Sequence, residues 1–227
     1  MISEKESPHM NHLANRTGAL QTSQLDYILV DGSASMMTKW WDCMGALDGF
    51  IDVLRTQSVA SHGIIQVFDN HDLNYVARDS EIGQWKTFAD DPIGAHWGST
   101  PLYDAIFLMG QKLKDLDPER CSIVIVTDGE ENGSQVDVVQ ARAVLDWCRA
   151  KGWQVTFIGC DFNNNRQAAQ LGADESNTLG VAKAKLLEAG KAFGAKRAAH
   201  AKFGDEINFS PDERKNFGGY LTNGNGK

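Results

Sequence analysis

Apolar residues along the chain follow two rhythms. Short unbroken runs at 25–31 (LDYILVD), 121–129 (CSIVIVTDG) and 153–161 (WQVTFIGCD) have strand length and much β-branched content. Such runs suit strands covered on both faces. Between them, 37–57 carries apolar Trp40, Met44, Leu47, Phe50, Ile51 and Leu54 at helical spacing. Further helices are predicted at 102–116, where Pro101 suits the start, and at 134–152, with Ser134 as candidate N-cap and Gly152 past the end. The runs 62–69 and 73–80, joined by Asn70, His71 and Asp72, read as a hairpin. A Gly- and Pro-containing loop fills 81–101, a short helix 164–173, and a short strand followed by a helix 177–204. Strands alternating with helices predict an α/β, doubly wound, mostly parallel sheet with one antiparallel edge strand and helices on both faces.

The polar stretch 1–22 shows no period and reads as a flexible extension. The packed unit is expected at 23–203, followed by a fraying tail over 204–227. A chain of 227 residues with 42% hydrophobic content suffices for one sizeable core. The formal charge of −8 argues against broad nucleic-acid binding, and no apolar run is long enough to span a bilayer. The N-terminal stretch lacks the apolar segment of a secretory signal. Cys43, Cys121, Cys148 and Cys160 are scattered and read as free, buried thiols of a reducing cytoplasm. The basic stretch 183–202 reads as a solvated helix face, with Lys191, Lys196, Arg197 and Lys202 mainly off the apolar stripe of Leu186, Leu187 and Phe193.

Three segments place oxygen donors just beyond strand ends or at a helix start. They are Asp31, Ser33 and Ser35 in DGSAS, Thr100 in GSTPLYD, and Asp128 in VTDGEEN. In a doubly wound sheet, ligands collect outside the carboxyl ends of strands where the winding reverses. If the first strand and the 121–129 strand are neighbours there, the five residues converge. Two carboxylates and three hydroxyls, without His or Cys, suit Mg²⁺ or Mn²⁺. Neutral hydroxyls leave much of an ion's charge unquenched, so the ion can take a further carboxylate from another molecule.

These elements, in this order and spacing, resemble the metal-ion-dependent adhesion site of the von Willebrand factor A-domain family, over about 25–203. The segments FIGCDFNNNRQAAQLGA and KAFGAKR resemble its intracellular bacterial and phage branch. The resemblance implies the family's Rossmann-like fold. It implies direct metal ligation by Ser33, Ser35 and Thr100, with Asp31 and Asp128 acting largely through water. It also implies a protein partner whose Glu or Asp completes the site, and by analogy work beside an AAA-type ATPase. His96, Trp97 and Glu130 are candidates for a rim touched by that partner; loop packing for the first two, and a solvated surface for Glu130, are the competing readings.

The expected function is therefore a metal-dependent protein-interaction module, an adaptor or assembly component without turnover. The alternative is an Mg²⁺-dependent phosphoesterase, with Asp31 as nucleophile or ligand and Asp128 and Glu130 holding the metal. A haloacid-dehalogenase-type enzyme has a second Asp two residues after the first; Ser33 stands there instead. No His is arranged in the sequence as a base for a serine nucleophile.

Overall fold

The computed structural model describes residues 24–218. The extension at 1–22 and the last nine residues lie outside that range. Among the described residues six strands form one sheet: β1 (Gln24–Asp31), β2 (His62–Phe68), β3 (Tyr75–Glu81), β4 (Arg120–Thr127), β5 (Gln154–Cys160) and β6 (Thr178–Val181). Their order is β3-β2-β1-β4-β5-β6, and only β3 runs antiparallel, against β2. Among the described residues the helices are α1 (Trp40–Thr56), α2 (Leu102–Leu116), α3 (Val138–Ala150), α4 (Asn165–Gln170), α5 (Leu186–Phe203) and α6 (Pro211–Gly218). The chain winds outward from β1 to β2 and β3, then returns and winds the other way from β4. β1 and β4 are adjacent and parallel, and the direction of winding reverses between them.

Alternation along the central strands divides the core in two. Ile28, Val30, Val124 and Val126 share one apolar cluster with α1 and α5, while Leu25, Leu29, Ile123 and Ile125 share the other with α2 and α3. Both faces are covered, which is why these strands read as continuous apolar runs rather than alternating ones. Phe50 of α1 stacks on Phe193 of α5 with ring centroids 5.0 Å apart. Fully burying each such ring is worth about 1.5–3 kcal/mol. All four cysteines are free and buried, and among the described residues no helix is long and apolar enough to cross a membrane.

Three sequence expectations need correction. α3 begins later than Ser134: its N-cap is Asp137, which forms a reciprocal capping box with Gln140. The stretch beyond Phe203 is not all loose tail. Ile207, Phe209 and Phe217 are buried against the α1/α5 cluster, and the Ala182 N–H donates to the Phe217 carbonyl. Three apolar anchors in a polar, Gly- and Asn-rich segment gave no periodic signal. Finally, Arg197 does not lie on the solvated face of α5. It is fully buried and forms a two-point ion pair with Asp26 of β1, Nε to Oδ1 at 2.6 Å and a terminal nitrogen to Oδ2 at 2.9 Å.

Candidate metal centre

β1 ends in Asp31, and the chain then turns sharply over Gly32. A Cβ at Gly32 would stand 2.8 Å from Val67 Cγ1 and 3.0 Å from Ala95 Cβ, so glycine lets the turn press against β2 and the long loop. The Gly32 N–H donates to the Phe68 carbonyl, and its carbonyl accepts from Trp97 N–H. Asp31 Oδ1 accepts the Ser33 N–H at 2.8 Å, folding the loop back on the carboxylate. Ser33 then pairs with Gly98 as a parallel bridge, which draws the Thr100 segment beside the serine loop. A 3-10 turn over Ala34–Thr38 leads into α1.

The hydroxyls form a chain. Ser33 Oγ and Ser35 Oγ are 3.0 Å apart, and Ser35 Oγ donates to Asp128 Oδ1 at 2.6 Å. Thr127, at the tip of β4, donates its hydroxyl to Asp31 Oδ2 at 2.6 Å, bridging the two strand ends. Thr100 is positioned by its backbone. Its N–H donates to Asn132 Oδ1 at 2.8 Å, and its carbonyl accepts the Asn132 N–H at 3.1 Å. A Cβ on Gly129 would lie 3.6 Å from Ser35 Oγ and 3.9 Å from Thr100 Oγ1. The two hydroxyls therefore flank the same glycine, next to Asp128. Asp31, Ser33, Ser35, Thr100 and Asp128 thus meet at the tips of β1 and β4.

Burial dominates the electrostatics. Asp31 is fully buried, and desolvation raises its pKa from an ordinary 3.8 to about 6, against the lowering effect of hydrogen bonds from Thr127 and Ser33. Asp128 is also buried, and its second oxygen, Oδ2, accepts a 2.6 Å contact from the Lys39 ammonium. The donor set is hard oxygen held on short loops, and a cation already lies against one of its carboxylates. The hard oxygen donors fit a small divalent ion, whereas the Lys39 ammonium already balances the charge of one carboxylate. Among the described residues, no group of three or more His, Cys, Asp or Glu side chains could hold a metal; the candidate set has two carboxylates and relies on hydroxyls.

Other residues hold the loops in place, and the motif reading missed them. Asp69, beyond β2, accepts N–H groups from His71, Asp72 and His96. Asn70 Oδ1 accepts the Ser99 N–H at 2.6 Å. Both tie the loop carrying Thr100 to the tip of β2. Glu131 accepts from the N–H groups of Tyr103, Gly133 and Ser134, and from the Ser134 hydroxyl. Ser134, expected as a helix cap, instead accepts N–H groups from Tyr103 and Asp104 at the start of α2. Turn-forming Asp, Asn and Ser in each segment were the available signal, but the partners that join one loop to another lie about 30 residues away in sequence.

The rim candidates differ in placement. His96 is exposed, with its imidazole 3.7 Å from Asp69. Glu130 is exposed. Trp97 is half-buried, packs edge-on against Trp40 at 5.4 Å and joins the α1/α5 core cluster. Its backbone has a positive φ of 65°, an unusual conformation for a large side chain.

No family model matches the sequence, and no curated protein matches it. Solved structures do. The chain is similar to the vWF domain of the type V pili tip protein Mfa5 from Porphyromonas gingivalis, at a TM-score of 0.60 and 11% identity, over 82% of this chain and 99% of that one. It is similar to a von Willebrand factor type A structure from Catenulispora acidiphila, at a TM-score of 0.56 and 16% identity, over 78% of this chain and 43% of that one. Proximal thread matrix protein 1 from the mussel byssus gives a TM-score of 0.56 and 16% identity, over 78% of this chain and 49% of that one. This chain therefore matches less than half the length of the last two. The six-stranded, mostly parallel sheet with helices on both faces is the Rossmann-like fold of von Willebrand factor A-type structures.

Proposed function

We propose that this chain is a metal-dependent protein-interaction module. Ser33, Ser35 and Thr100 would hold Mg²⁺ or Mn²⁺ directly, with Asp31 and Asp128 steering the site through water. The ion would supply an electrophilic position for a Glu or Asp carboxylate of a protein partner. The observation that carries this reading is the convergence of five oxygen-donor side chains from three separate segments at the switch point between β1 and β4.

The chain's own residues each have a part. Asp31, with both oxygens engaged by Ser33 and Thr127, fixes the serine loop. Asp128 orients the Ser35 hydroxyl. Asn132, Asn70 and Asp69 set the Thr100 segment at the correct height. His96 and Glu130, exposed beside the site, are the residues a partner would touch. The same geometry weighs against the phosphoesterase alternative. A nucleophilic Asp31 would need a free oxygen facing substrate, whereas its carboxylate is fully buried and both oxygens accept hydrogen bonds.

An adaptor or assembly role, a cytoplasmic setting in a bacterium or phage-infected cell, and an AAA-type ATPase system as partner belong to the same proposal. Affinity capture with the full chain, in Mg²⁺ and in EDTA, tests it. A partner retained in Mg²⁺, released by EDTA and lost with Thr100→Ala is expected. Retention indifferent to EDTA and to Thr100→Ala would refute metal-dependent binding.

A further inference from the structure

Lys39 lies outside the five-residue motif, four positions after Ser35 and immediately before α1. The 3-10 turn over Ala34–Thr38 carries it back over the tip of β4. There its ammonium meets Asp128 Oδ2 at 2.6 Å, with the lysine side chain 18% exposed and the aspartate side chain fully buried. The other Asp128 oxygen is held by Ser35. One carboxylate thus joins the serine loop, through a hydroxyl, and the start of α1, through a charge.

The distribution of donors gives this contact its meaning. Asp31 satisfies both oxygens with a backbone N–H and the Thr127 hydroxyl, and neither of those donors carries a charge. Asp128 is the site's second carboxylate, and Lys39 is its cation partner. A buried carboxylate without a counter-charge is costly, so the ammonium compensates Asp128 whenever nothing else does. A divalent ion seated among Ser33, Ser35, Thr100 and Asp128 would place two positive charges beside that ammonium. Like charges this close in a partly desolvated site repel strongly, so an ion held near Asp128, even through water, competes with the Lys39 ammonium for that carboxylate. Lys39 has room to leave, because its long side chain is partly exposed and flexible.

We propose that Lys39 is a built-in counter-ion: it holds Asp128 and the serine loop together in the metal-free protein, and a divalent cation must displace it to bind. The second half rests on the metal-site reading above; the first does not. Lys39 thereby sets the metal concentration at which the site opens to a partner. The protein stays folded and closed below that threshold.

Two measurements test this on the full chain. The first is urea unfolding in EDTA, as a double-mutant cycle of Lys39→Met and Asp128→Asn. Lys39→Met is expected to destabilise, and Asp128→Asn to cost much less in the Lys39→Met background than in the wild type. Additive effects would overturn the counter-ion role. Lys39→Arg, which keeps the charge, is expected to behave as wild type and guards against a variant that fails to fold.

The second is calorimetric titration with Mg²⁺ alone. Lys39→Met is expected to bind at least tenfold more tightly than wild type, with Lys39→Arg unchanged. Equal or weaker binding by Lys39→Met would overturn the displacement. A residue that only shaped the loop would weaken binding on removal. If neither wild type nor Lys39→Met binds Mg²⁺ while the EDTA cycle shows coupling, the metal reading and the displacement are both overturned, and the counter-ion role stands.

Discussion

The Asp26–Arg197 pair is a sharp test of how this fold is held. Both side chains are fully buried, and they lie 171 residues apart in sequence. Asp26 sits near the start of β1, whose far end carries Asp31; Arg197 lies on α5. The Ser61 hydroxyl also donates to Asp26, so the carboxylate accepts at least three hydrogen bonds. Among the described residues, one terminal nitrogen of Arg197 has no hydrogen-bond partner. Arg197→Ala would leave a carboxylate buried with only Ser61 to meet it, and a cavity beside it. Breaking a buried pair in this way costs about 3–5 kcal/mol. At about 2–4 °C per kcal/mol for a domain of this size, the melting temperature should fall by roughly 6–20 °C. Replacing both partners with apolar residues of similar size, Asp26→Leu with Arg197→Met, should recover most of that loss, because no charge is left uncompensated. Urea unfolding of the two single variants and the double variant decides the matter. A loss below about 1 kcal/mol for Arg197→Ala, or a double variant as unstable as the singles combined, would refute the reasoning.

Two further outcomes are expected. A Cβ on Gly190 of α5 would stand 2.1 Å from the Ala46 carbonyl oxygen of α1, a backbone atom that cannot swing aside. Gly190→Ala should therefore lower stability by about 1–3 kcal/mol in a thermal melt, although alanine favours the helix itself by about 1 kcal/mol; an unchanged or raised melting temperature would contradict the close α1/α5 approach. In EDTA, Asp31 keeps its proton up to about pH 6 in the folded protein but loses it near its ordinary 3.8 when unfolded. The folded state binds more protons in that window, so stability should fall as pH rises from about 4 to 6, by on the order of 3 kcal/mol from this group. Asp31→Asn should remove that component, and a wild-type stability that rises relative to Asp31→Asn over the same window would contradict the burial argument.

The parallel core was legible because its strands are buried on both faces, so β1, β4 and β5 announce themselves as apolar runs. The proposed donors could be picked out because Asp31, Ser33, Ser35 and Asp128 follow the ends of those runs and Thr100 precedes a helix start. Other features carried no such signal. Arg197 looks like any basic residue on a helix, since only its distant partner Asp26 makes it a core residue. Lys39 looks like a loop lysine until the 3-10 turn folds it over Asp128. Asp69, Asn70, Glu131 and Asn132 hold the loops through side chain–backbone bonds to segments remote in sequence. Periodicity records burial along one element and is blind to such cross-links. Ile207, Phe209 and Phe217 escaped for a related reason: each docks singly, without the repeat that marks a helix face.

The tips of β1 and β4 are proposed to hold one divalent ion through hydroxyls from two segments, beside the Asp128 carboxylate of a third. Calorimetric titration of the metal-stripped chain with Mg²⁺, beside Thr100→Ala, tests it most directly. Thr100 supplies a hydroxyl from the one segment that follows neither β1 nor β4 in the chain, and its backbone bonds to Asn132 survive the substitution. A single saturable site is expected in the wild type. At a hundredfold excess over Kd it should add about 2.7 kcal/mol of stability, a rise of roughly 5–10 °C in Tm. Thr100→Ala should fold and lose both the heat and the shift. A wild type with no saturable site, or a Thr100→Ala protein that binds Mg²⁺ as the wild type does, would contradict it.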